Sequence, residues 1–200
     1  MKFSIILLSF FSVGILIGIF ELIPREVITS YPLEDYLLYL LLFLVGISIG
    51  SDNTAIKSIF KLNLITGLVP VMVAIGSILG AGFAVFFVSI PDLRECMAIG
   101  AGFGYYSLSS IIIGKVRGEV IGAIALISNI IREIVTLIFA PLFARYIAKL
   151  APIASGGATS MDTTLPIIYK NVGSKYSLIA VINGAVLSFL VPIIIPIILS

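Results

Sequence analysis

The amino-acid sequence predicts an all-α integral membrane protein with about seven hydrophobic segments. Hydrophobic residues make up 60% of the 200 residues, only 11% are charged, and the mean hydropathy is +1.25. So few charged side chains cannot cover a globule of this size in water, whereas a bilayer accepts such a surface. Charged residues also separate apolar stretches of about 20 residues, the length of one membrane crossing. We therefore expect residues 1–200 to form a single polytopic transmembrane domain.

Seven segments follow when the charged residues are taken as boundaries. The first is interpreted as a retained helix, because no small-residue cleavage pattern of a signal peptide follows it. Segments four and six contain glycines and polar residues, so each either crosses as a broken helix or re-enters on one side. The segments span approximately residues 3–23, 36–56, 63–90, 96–114, 119–144, 150–169 and 176–199.

The basic residues between the segments set the expected orientation in the cytoplasmic membrane. Cytoplasmic loops carry an excess of Lys and Arg, and alternating segments place seven such residues on one side and four on the other. The N-terminus is thus expected inside and the C-terminus outside. No basic run indicates a nucleic-acid partner. The seven are Lys2, Lys57, Lys61, Lys115, Arg117, Lys170 and Lys175, and the four are Arg25, Arg94, Arg145 and Lys149.

Composition excludes several kinds of chemistry. The sequence has no histidine, which removes Ser-His dyads and His-ligated metals, and its single Cys96 cannot form a disulfide within the chain. No G-K-[ST] motif accompanies the glycines, so ATP is not the expected driver. We expect no cofactor and no metal, and coupling to a proton or sodium gradient. Two alternatives to a transporter remain: an intramembrane aspartyl-type hydrolase that joins Asp52 and Asp162, and a packing subunit without a site.

Segment five carries a polar helix face. Its four polar residues recur at i, i+3, i+4 and i+7. Because a charge at the middle of a membrane helix costs about 2.5–3.5 kcal/mol, this face should line protein or a water-filled cavity. Adjacent helix residues point about 100° apart, so Arg132 and Glu133 need partners on other segments. We expect Arg132 to pair with Asp162 and to be structural or gating rather than a substrate ligand, the alternative being a structural Arg-Glu pair between helices. The four residues are Asn129, Arg132, Glu133 and Thr136.

Segment four contains three glycines in five residues, within the stretch AIGAGFGYYSLSS at residues 98–110. Glycine in a helix interior costs about 1 kcal/mol, so the helix is expected to break near Gly102 and Gly104. The alternative is a small-residue face for tight helix packing, since two of the glycines have G-x-x-x-G spacing. Tyr106 and Ser107 follow near the middle of the crossing and are candidate site residues.

Segment six contains GGATSMDTTLP at residues 156–166, which is polar where a crossing is expected. Gly156 and Gly157 predict an unwound stretch, after which the hydroxyl residues offer caps for a new helix and Pro166 fits its first turn. The alternative is a loop outside the membrane. The candidate binding residues of this stretch are Thr159, Ser160 and Asp162.

The polar residues of the three segments lie at similar estimated depth. Secondary transporters build midplane sites from discontinuous helices, in which helix N-termini attract anions while freed carbonyls and carboxylates hold cations. A zwitterion, which has one anionic and one cationic group, could bind to both kinds of group. We therefore expect a secondary transporter that works by alternating access, with one cavity near mid-depth. The side chains expected to converge on it are Tyr106, Ser107, Glu133 and Asp162.

Three motifs resemble the LysO-type L-lysine exporter family. They are GFGYYSLS at residues 102–109, NIIRE at residues 129–133 and GATSMDTTLP at residues 157–166, and the similarity extends over roughly Leu37–Val191. The resemblance implies export of L-lysine across the cytoplasmic membrane of a prokaryote, with basic analogues as further candidate substrates.

The resemblance also implies an essential pair of intramembrane acidic residues. Glu133 matches one of them through its R-E motif. The other lies in an N-terminal hydrophobic part of longer family members that this sequence lacks. Asp52, in FLVGISIGSDN, follows a similar end-of-helix pattern and is a candidate replacement, with a plain helix cap or loop carboxylate as the alternative. The missing part implies a second, smaller membrane subunit or a homo-oligomer.

Overall fold

The computed structural model describes residues 64–89 and 91–200, together with isolated positions before residue 64. The chain divides into two compact units, residues 1–44 and 45–200, and every helix discussed below belongs to the second unit. Within the described residues all regular structure is helical. The predicted all-α membrane fold is confirmed for this part of the chain. Predicted segments one and two lie outside it.

The described helices follow the predicted segments closely, and they are numbered here in chain order. A 3₁₀ turn extends the first of them, and a second 3₁₀ segment follows the fifth. The elements are α1 (Leu64–Phe83), the turn Ala84–Phe86, α2 (Leu93–Gly100), α3 (Tyr106–Arg117), α4 (Glu119–Tyr146), α5 (Ala151–Gly156), the 3₁₀ segment Gly157–Met161, α6 (Leu165–Val172) and α7 (Ser174–Leu199).

Three of the described helical regions are long and apolar enough to cross a bilayer. Their outer surfaces expose large apolar side chains, for example Leu79, Ile138 and Phe189, as expected where a helix contacts lipid. They coincide with predicted segments three, five and seven. The regions are Gly67–Phe86, Glu119–Tyr146 and Tyr176–Leu199, with mean hydropathies of 2.2, 1.9 and 2.6.

Predicted segments four and six each contain two short helices. Residues 101–105, here called the first interruption, separate α2 from α3, and residues 157–164, the second interruption, separate α5 from α6. The first contains Gly102 and Gly104, and the second begins at Gly157. The helices therefore end at the glycine-rich stretches from which the sequence predicts an interruption.

The beginning of α6 differs in part from the prediction. Pro166 lies in the first turn of this helix, as expected. Thr164 occupies the N-cap position, but its hydroxyl makes no capping bond and donates to the backbone carbonyl of Thr159 at 2.9 Å. The predicted hydroxyl cap is wrong for Thr164, because this bond turns the side chain toward the second interruption and away from the helix N–H groups.

Helix α7 is the central helix of the described part. It packs against α1, α2, α3 and α6 and against the 3₁₀ segment at 157–161, and it is the most deeply buried of the three spanning regions. Apolar side chains occupy all faces of this helix, of which about half is buried inside the protein and the rest exposes residues such as Phe189. Ile182, Leu187, Val191 and Ile195 are buried along its length. Since α7 contacts both α3 and the second interruption, it positions the two regions relative to each other.

Candidate functional site

The first interruption is held by Asn129 of α4. The side-chain Oδ1 accepts a hydrogen bond from the Gly104 N–H at 2.7 Å, and Nδ2 donates to the carbonyls of Ile99 at 3.2 Å and Ala125 at 2.9 Å. Asn129 is 3% exposed, so its bond to the Gly104 N–H takes the place of water for a backbone group that leaves the helical pattern. The structure thus gives this predicted site residue a supporting position.

The backbones of the two interruptions are in direct contact. The Ala158 N–H donates to the Phe103 carbonyl at 2.8 Å. Gly104 has φ +94° and Gly157 has φ +61°, a region that L side chains rarely adopt. A Cβ at Gly157 would overlap the Phe103 carbonyl oxygen, and one at Gly104 would lie 3.1 Å from the Gly156 carbonyl oxygen. Glycine is therefore required both for the turn and for the close approach.

The second interruption is anchored to α7 by a small polar network. The Ser160 hydroxyl oxygen lies 2.7 Å from the Gly157 carbonyl oxygen and 2.8 Å from that of Ala180. Asn183 of α7 donates from Nδ2 to the Gly157 carbonyl at 3.0 Å and to Ser160 Oγ at 3.1 Å. Both polar side chains are fully buried. The predicted ligand Ser160 therefore lies within this packing network, and Asn183 is a supporting residue that the sequence analysis missed.

Arg132 joins α4 to the end of α5. Its Nε donates to the Ser155 carbonyl at 2.8 Å, and Nη2 donates to the Ala154 carbonyl at 2.9 Å. One turn later, the Thr136 and Ser155 hydroxyls share a hydrogen bond of 2.6 Å. Carbonyls at a helix C-terminus carry partial negative charge, which makes them suitable partners for a guanidinium.

The predicted pair of Arg132 and Asp162 is not formed. The Asp162 carboxylate accepts hydrogen bonds from the backbone N–H and the hydroxyl of Thr163, at 2.5 and 3.2 Å. The prediction is wrong because the end of α5 lies opposite Arg132 and supplies its partners. Asp162 is exposed on the other side of the first interruption, next to a cavity.

A cavity of about 190 Å³ lies beside both interruptions. We call it the hydroxyl cavity, because its polar lining consists of hydroxyl groups, backbone and one carboxylate. No basic residue is among the residues that line it. Its volume is below the roughly 300–1,000 Å³ of sites for drug-sized ligands, which favours a small solute. The polar side chains that line it are Tyr105, Tyr106, Ser107, Thr159, Asp162, Thr163 and Ser188.

Glu133 of α4 adjoins the hydroxyl cavity. Its half-buried carboxylate lies next to the Thr163 side chain and interacts electrostatically with Asp162. The Tyr106 side chain interacts electrostatically with both carboxylates. The structure thus brings together Tyr106, Ser107, Glu133 and Asp162, and Thr159 lies in the same wall. Asp52, the remaining acidic candidate, lies outside the described residues.

Ser188 of α7 lines the hydroxyl cavity and was not predicted. It is 1% exposed, and its Oγ has no hydrogen-bond partner among the described residues. Leaving a buried polar group unsatisfied costs about 1–3 kcal/mol, so such a group calls for an explanation, of which a bound ligand is one. Ser188 is separated from the other two serines of this long apolar helix, Ser174 and Ser177, by at least ten residues, so no short-range pattern selected it.

A second cavity, of about 280 Å³, lies on the other side of the first interruption. We call it the arginine cavity. It shares no lining residue with the hydroxyl cavity, and no acidic residue is among those that line it. Apolar residues of α1 and α2 form much of its wall. Its polar side chains, apart from the Cys96 thiol, are Ser77, Ser128, Asn129 and Arg132.

Comparisons with known proteins agree with the three motifs. Lysine exporter LysO of Escherichia coli K12 is 36% identical over 162 residues, which cover 81% of this chain and 53% of that protein. A proposed lysine exporter of Haemophilus influenzae is 35% identical over 160 residues, which cover 79% of this chain and 80% of that protein. No solved structure matches the chain.

The match to the family extends over nearly the whole chain, although the chain spans only about half the length of the E. coli relative. The sequence profile described as lysine exporter LysO matches residues 8–199. The resemblance predicted from the motifs is thereby confirmed: the chain belongs to the LysO lysine exporter family.

Proposed function

We propose that this chain forms the binding site of a secondary transporter that exports L-lysine across the cytoplasmic membrane. One observation carries the proposal: Asp162 lines a cavity that is rich in hydroxyl groups, and Glu133 lies beside Thr163 in the wall of that cavity, within electrostatic range of Asp162. The relatives are named as lysine exporters, which supplies the substrate and favours transport over the hydrolase and packing-subunit alternatives.

The chemistry of the hydroxyl cavity suits an ammonium group. An ammonium has three N–H donors and no acceptor, and it is best satisfied by carboxylate and hydroxyl oxygens. Asp162 and Ser188 offer such oxygens from two different elements, and Glu133, from a third, interacts electrostatically with Asp162. Lysine carries two ammonium groups near neutral pH, so a site with two nearby carboxylates matches its charge. Basic analogues that keep both cationic groups should compete.

The two carboxylates also suggest how transport is coupled to an ion gradient. Like charges that interact at close range favour the binding of a proton or a cation, because a bound positive charge relieves their repulsion. If lysine and the coupling ion, H⁺ or Na⁺, compete for Glu133 and Asp162, the inward movement of the ion drives the outward movement of lysine. This exchange is antiport by alternating access, and it needs no cofactor.

The pairs α2–α3 and α5–α6 are interpreted as two discontinuous crossings. Their interruptions meet beside the candidate site, as in transporters whose site lies near the bilayer midplane. In this topology the N-terminus is inside and the C-terminus outside, as the basic residues predict.

The functional unit is proposed to contain more than one copy of this chain, or a smaller membrane subunit. The chain matches 53% of the length of the E. coli relative and 80% of that of the H. influenzae relative. A second acidic residue of the family pair would come from this added part or from Asp52. Co-purification of the native complex, followed by its mass in solution, distinguishes a homo-oligomer from a complex with a second subunit.

The test is lysine counterflow in proteoliposomes that contain the purified native complex. Glu133→Gln keeps the shape and removes the charge, so we expect transport to fall at least about tenfold while thermal stability is maintained. Glu119→Gln is the matched control, since Glu119 is exposed at the beginning of the same helix. Wild-type transport in the Glu133→Gln variant would remove this carboxylate from the mechanism, and an inactive wild-type complex would contradict the proposed function.

A further inference from the structure

The first turn of α3 borders the hydroxyl cavity with backbone N–H groups that are not used elsewhere. Tyr106 and Ser107, the first two residues of this 12-residue helix, line the cavity. No side chain caps the helix, and the N–H groups of these two residues donate to no other residue that the structure describes. The N–H groups at a helix N-terminus carry partial positive charge and are suitable donors to an anion. The cavity therefore has donors available for a negative group.

The beginning of α6 differs, because its first N–H groups are already bonded. The Thr164 N–H donates to the Thr159 carbonyl at 3.0 Å. The Leu165 N–H donates to the Asp162 carbonyl at 3.1 Å, and the next residue, Pro166, has no N–H group. Of the two helices that begin after an interruption, α3 is therefore the one that offers its first N–H groups to the cavity.

A second observation indicates that the cavity holds a ligand. Ser188 of α7 lines it, is 1% exposed, and has no hydrogen-bond partner for its Oγ within the described ranges. The exposed Asp162 lines the same cavity from the second interruption. N–H donors and oxygen acceptors thus border one space of about 190 Å³, which has room for several water-sized groups. A carboxylate and an ammonium that share one carbon can reach both kinds of group within this space.

The charges around the cavity restrict the ligand further. Asp162 and the neighbouring Glu133 are acidic, and no basic residue is among those that line the cavity. The two carboxylates would repel a simple anion. A simple cation would leave the N–H groups of α3 without an acceptor. A zwitterionic head group, in contrast, satisfies the carboxylates with its ammonium and the N–H groups with its carboxylate.

We propose that the N-terminus of α3 binds the α-carboxylate of the exported amino acid, in the same cavity in which Asp162 and Ser188 bind its α-ammonium. This inference rests on the proposed function and adds to it a determinant of substrate specificity. The carboxylate accepts hydrogen bonds from the N–H groups of Tyr106 and Ser107, so no basic side chain is needed. The protein therefore selects an α-amino acid and rejects a simple diamine.

The first measurement compares lysine with cadaverine, which is lysine without its carboxylate, in counterflow by the native complex. We expect the wild type to prefer lysine at least about tenfold in kcat/KM, because cadaverine leaves the N–H donors of the site unpaired. A wild type that moves both compounds equally well would overturn the proposal. A wild type that transports neither compound would instead contradict the proposed function.

Ser107→Asp places a carboxylate of the protein itself beside the same N–H groups. An acidic side chain is favourable in the first turn of a helix, so it should compete there with the carboxylate of lysine. We expect the kcat/KM of lysine to fall at least about tenfold, while that of cadaverine stays within about twofold or rises. The reason is that the new carboxylate takes the place of the one that cadaverine lacks. Ser107→Asn is the matched control, because it has nearly the same shape as the Asp variant without the charge, and it should keep the preference for lysine.

The opposite sign is expected if the new charge only attracts cations. Ser107→Asp would then raise the transport of lysine as well as that of cadaverine, and this result would overturn the proposal. Equal losses for the two compounds in Ser107→Asp would also overturn it, because the side chain would then block the cavity for any ligand. Loss of the preference in Ser107→Asn would assign the specificity to the Ser107 hydroxyl instead of the helix N-terminus, which again contradicts the proposal.

The wild type alone keeps the proposal testable if Ser107→Asp does not fold. Lysinamide keeps both amino groups of lysine, but a neutral amide replaces its carboxylate. Because a helix N-terminus favours negative charge, lysinamide should inhibit lysine counterflow at least about tenfold more weakly than unlabelled lysine does. Equal inhibition by the two compounds would overturn the proposal.

Discussion

The two interruptions satisfy their freed backbone groups in different ways. The first interruption, residues 101–105, contains no Ser or Thr; backbone turns satisfy most of its N–H groups, and the one side chain that supports it is the Asn129 amide from α4, which accepts from the Gly104 N–H. The second contains its own hydroxyl groups, and Thr164 and Ser160 bond to backbone carbonyls within it. Asn183 adds a further donor from α7. The supporting side chain of the glycine-rich break thus comes from another helix, while the hydroxyl-rich break supplies supporting side chains of its own.

The same difference separates supporting groups from groups that are free to bind. In the second interruption the hydroxyls of Ser160 and Thr164 form hydrogen bonds to backbone carbonyls of the protein, whereas Asp162 is exposed at the hydroxyl cavity. Asn129 of α4 supports the first interruption, and Tyr106 and Ser107, which directly follow that interruption, line the hydroxyl cavity. Substitutions that remove support should therefore change stability, and those that remove free groups should change transport.

The largest expected loss of stability is at the contact between the interruptions. Gly157→Ala would overlap the Phe103 carbonyl oxygen and place a side chain at φ +61°. We expect a loss of about 3–4 kcal/mol in the free energy of unfolding, measured in detergent by thermal or denaturant unfolding. Gly173→Ala is the matched control, since it has φ +85° and no atom within 4 Å, and it should lose only about 1 kcal/mol. Similar losses in both variants would show that the interruptions do not need their close contact.

The next-largest expected effect is a difference in the free energy of unfolding between variants of the two supporting amides, Asn129 and Asn183. Asn129→Ala leaves the buried Gly104 N–H without its partner, while the Ile99 carbonyl keeps the bond from the Gly102 N–H, and we expect a loss of about 2–3 kcal/mol. Asn183→Ala should lose only about 1 kcal/mol, because the Gly157 carbonyl keeps Ser160 Oγ and the Asn183 Oδ1 has no partner to lose. Both are measured by the same unfolding assay. Equal losses would contradict the view that the second interruption supports itself.

The sequence predicts the helices and the interruptions better than it predicts the bonds between them. Bilayer-length apolar runs and clustered glycines are local patterns, so segments three, five and seven and the breaks near Gly102 and Gly157 follow from them. The partner of Arg132 does not follow, because it depends on which helix end packs opposite α4. Asn183 and Ser188 were missed for the same reason, since a lone polar residue in an apolar helix shows no periodicity.

The smallest expected effect on stability comes from the unpaired hydroxyl of Ser188. Ser188→Ala removes a buried group that has no hydrogen bond to lose within the described residues, so the free energy of unfolding should stay the same or rise by about 1 kcal/mol. Ser177→Ala is the control on the same helix, because its hydroxyl donates to the Gly173 carbonyl at 3.3 Å.

Transport measurements distinguish a Ser188 hydroxyl that contacts the substrate from one that only lies in the wall of the cavity. If Ser188 contacts the ammonium of lysine, its removal should raise KM about five- to tenfold, which corresponds to one hydrogen bond to a charged group, while Ser177→Ala leaves KM unchanged. A lower stability of Ser188→Ala would mean that the hydroxyl has a partner inside the protein. Unchanged KM with unchanged stability would mean that α7 only forms the wall of the cavity, and that the ligand is held by Glu133 and Asp162 together with the interrupted helices.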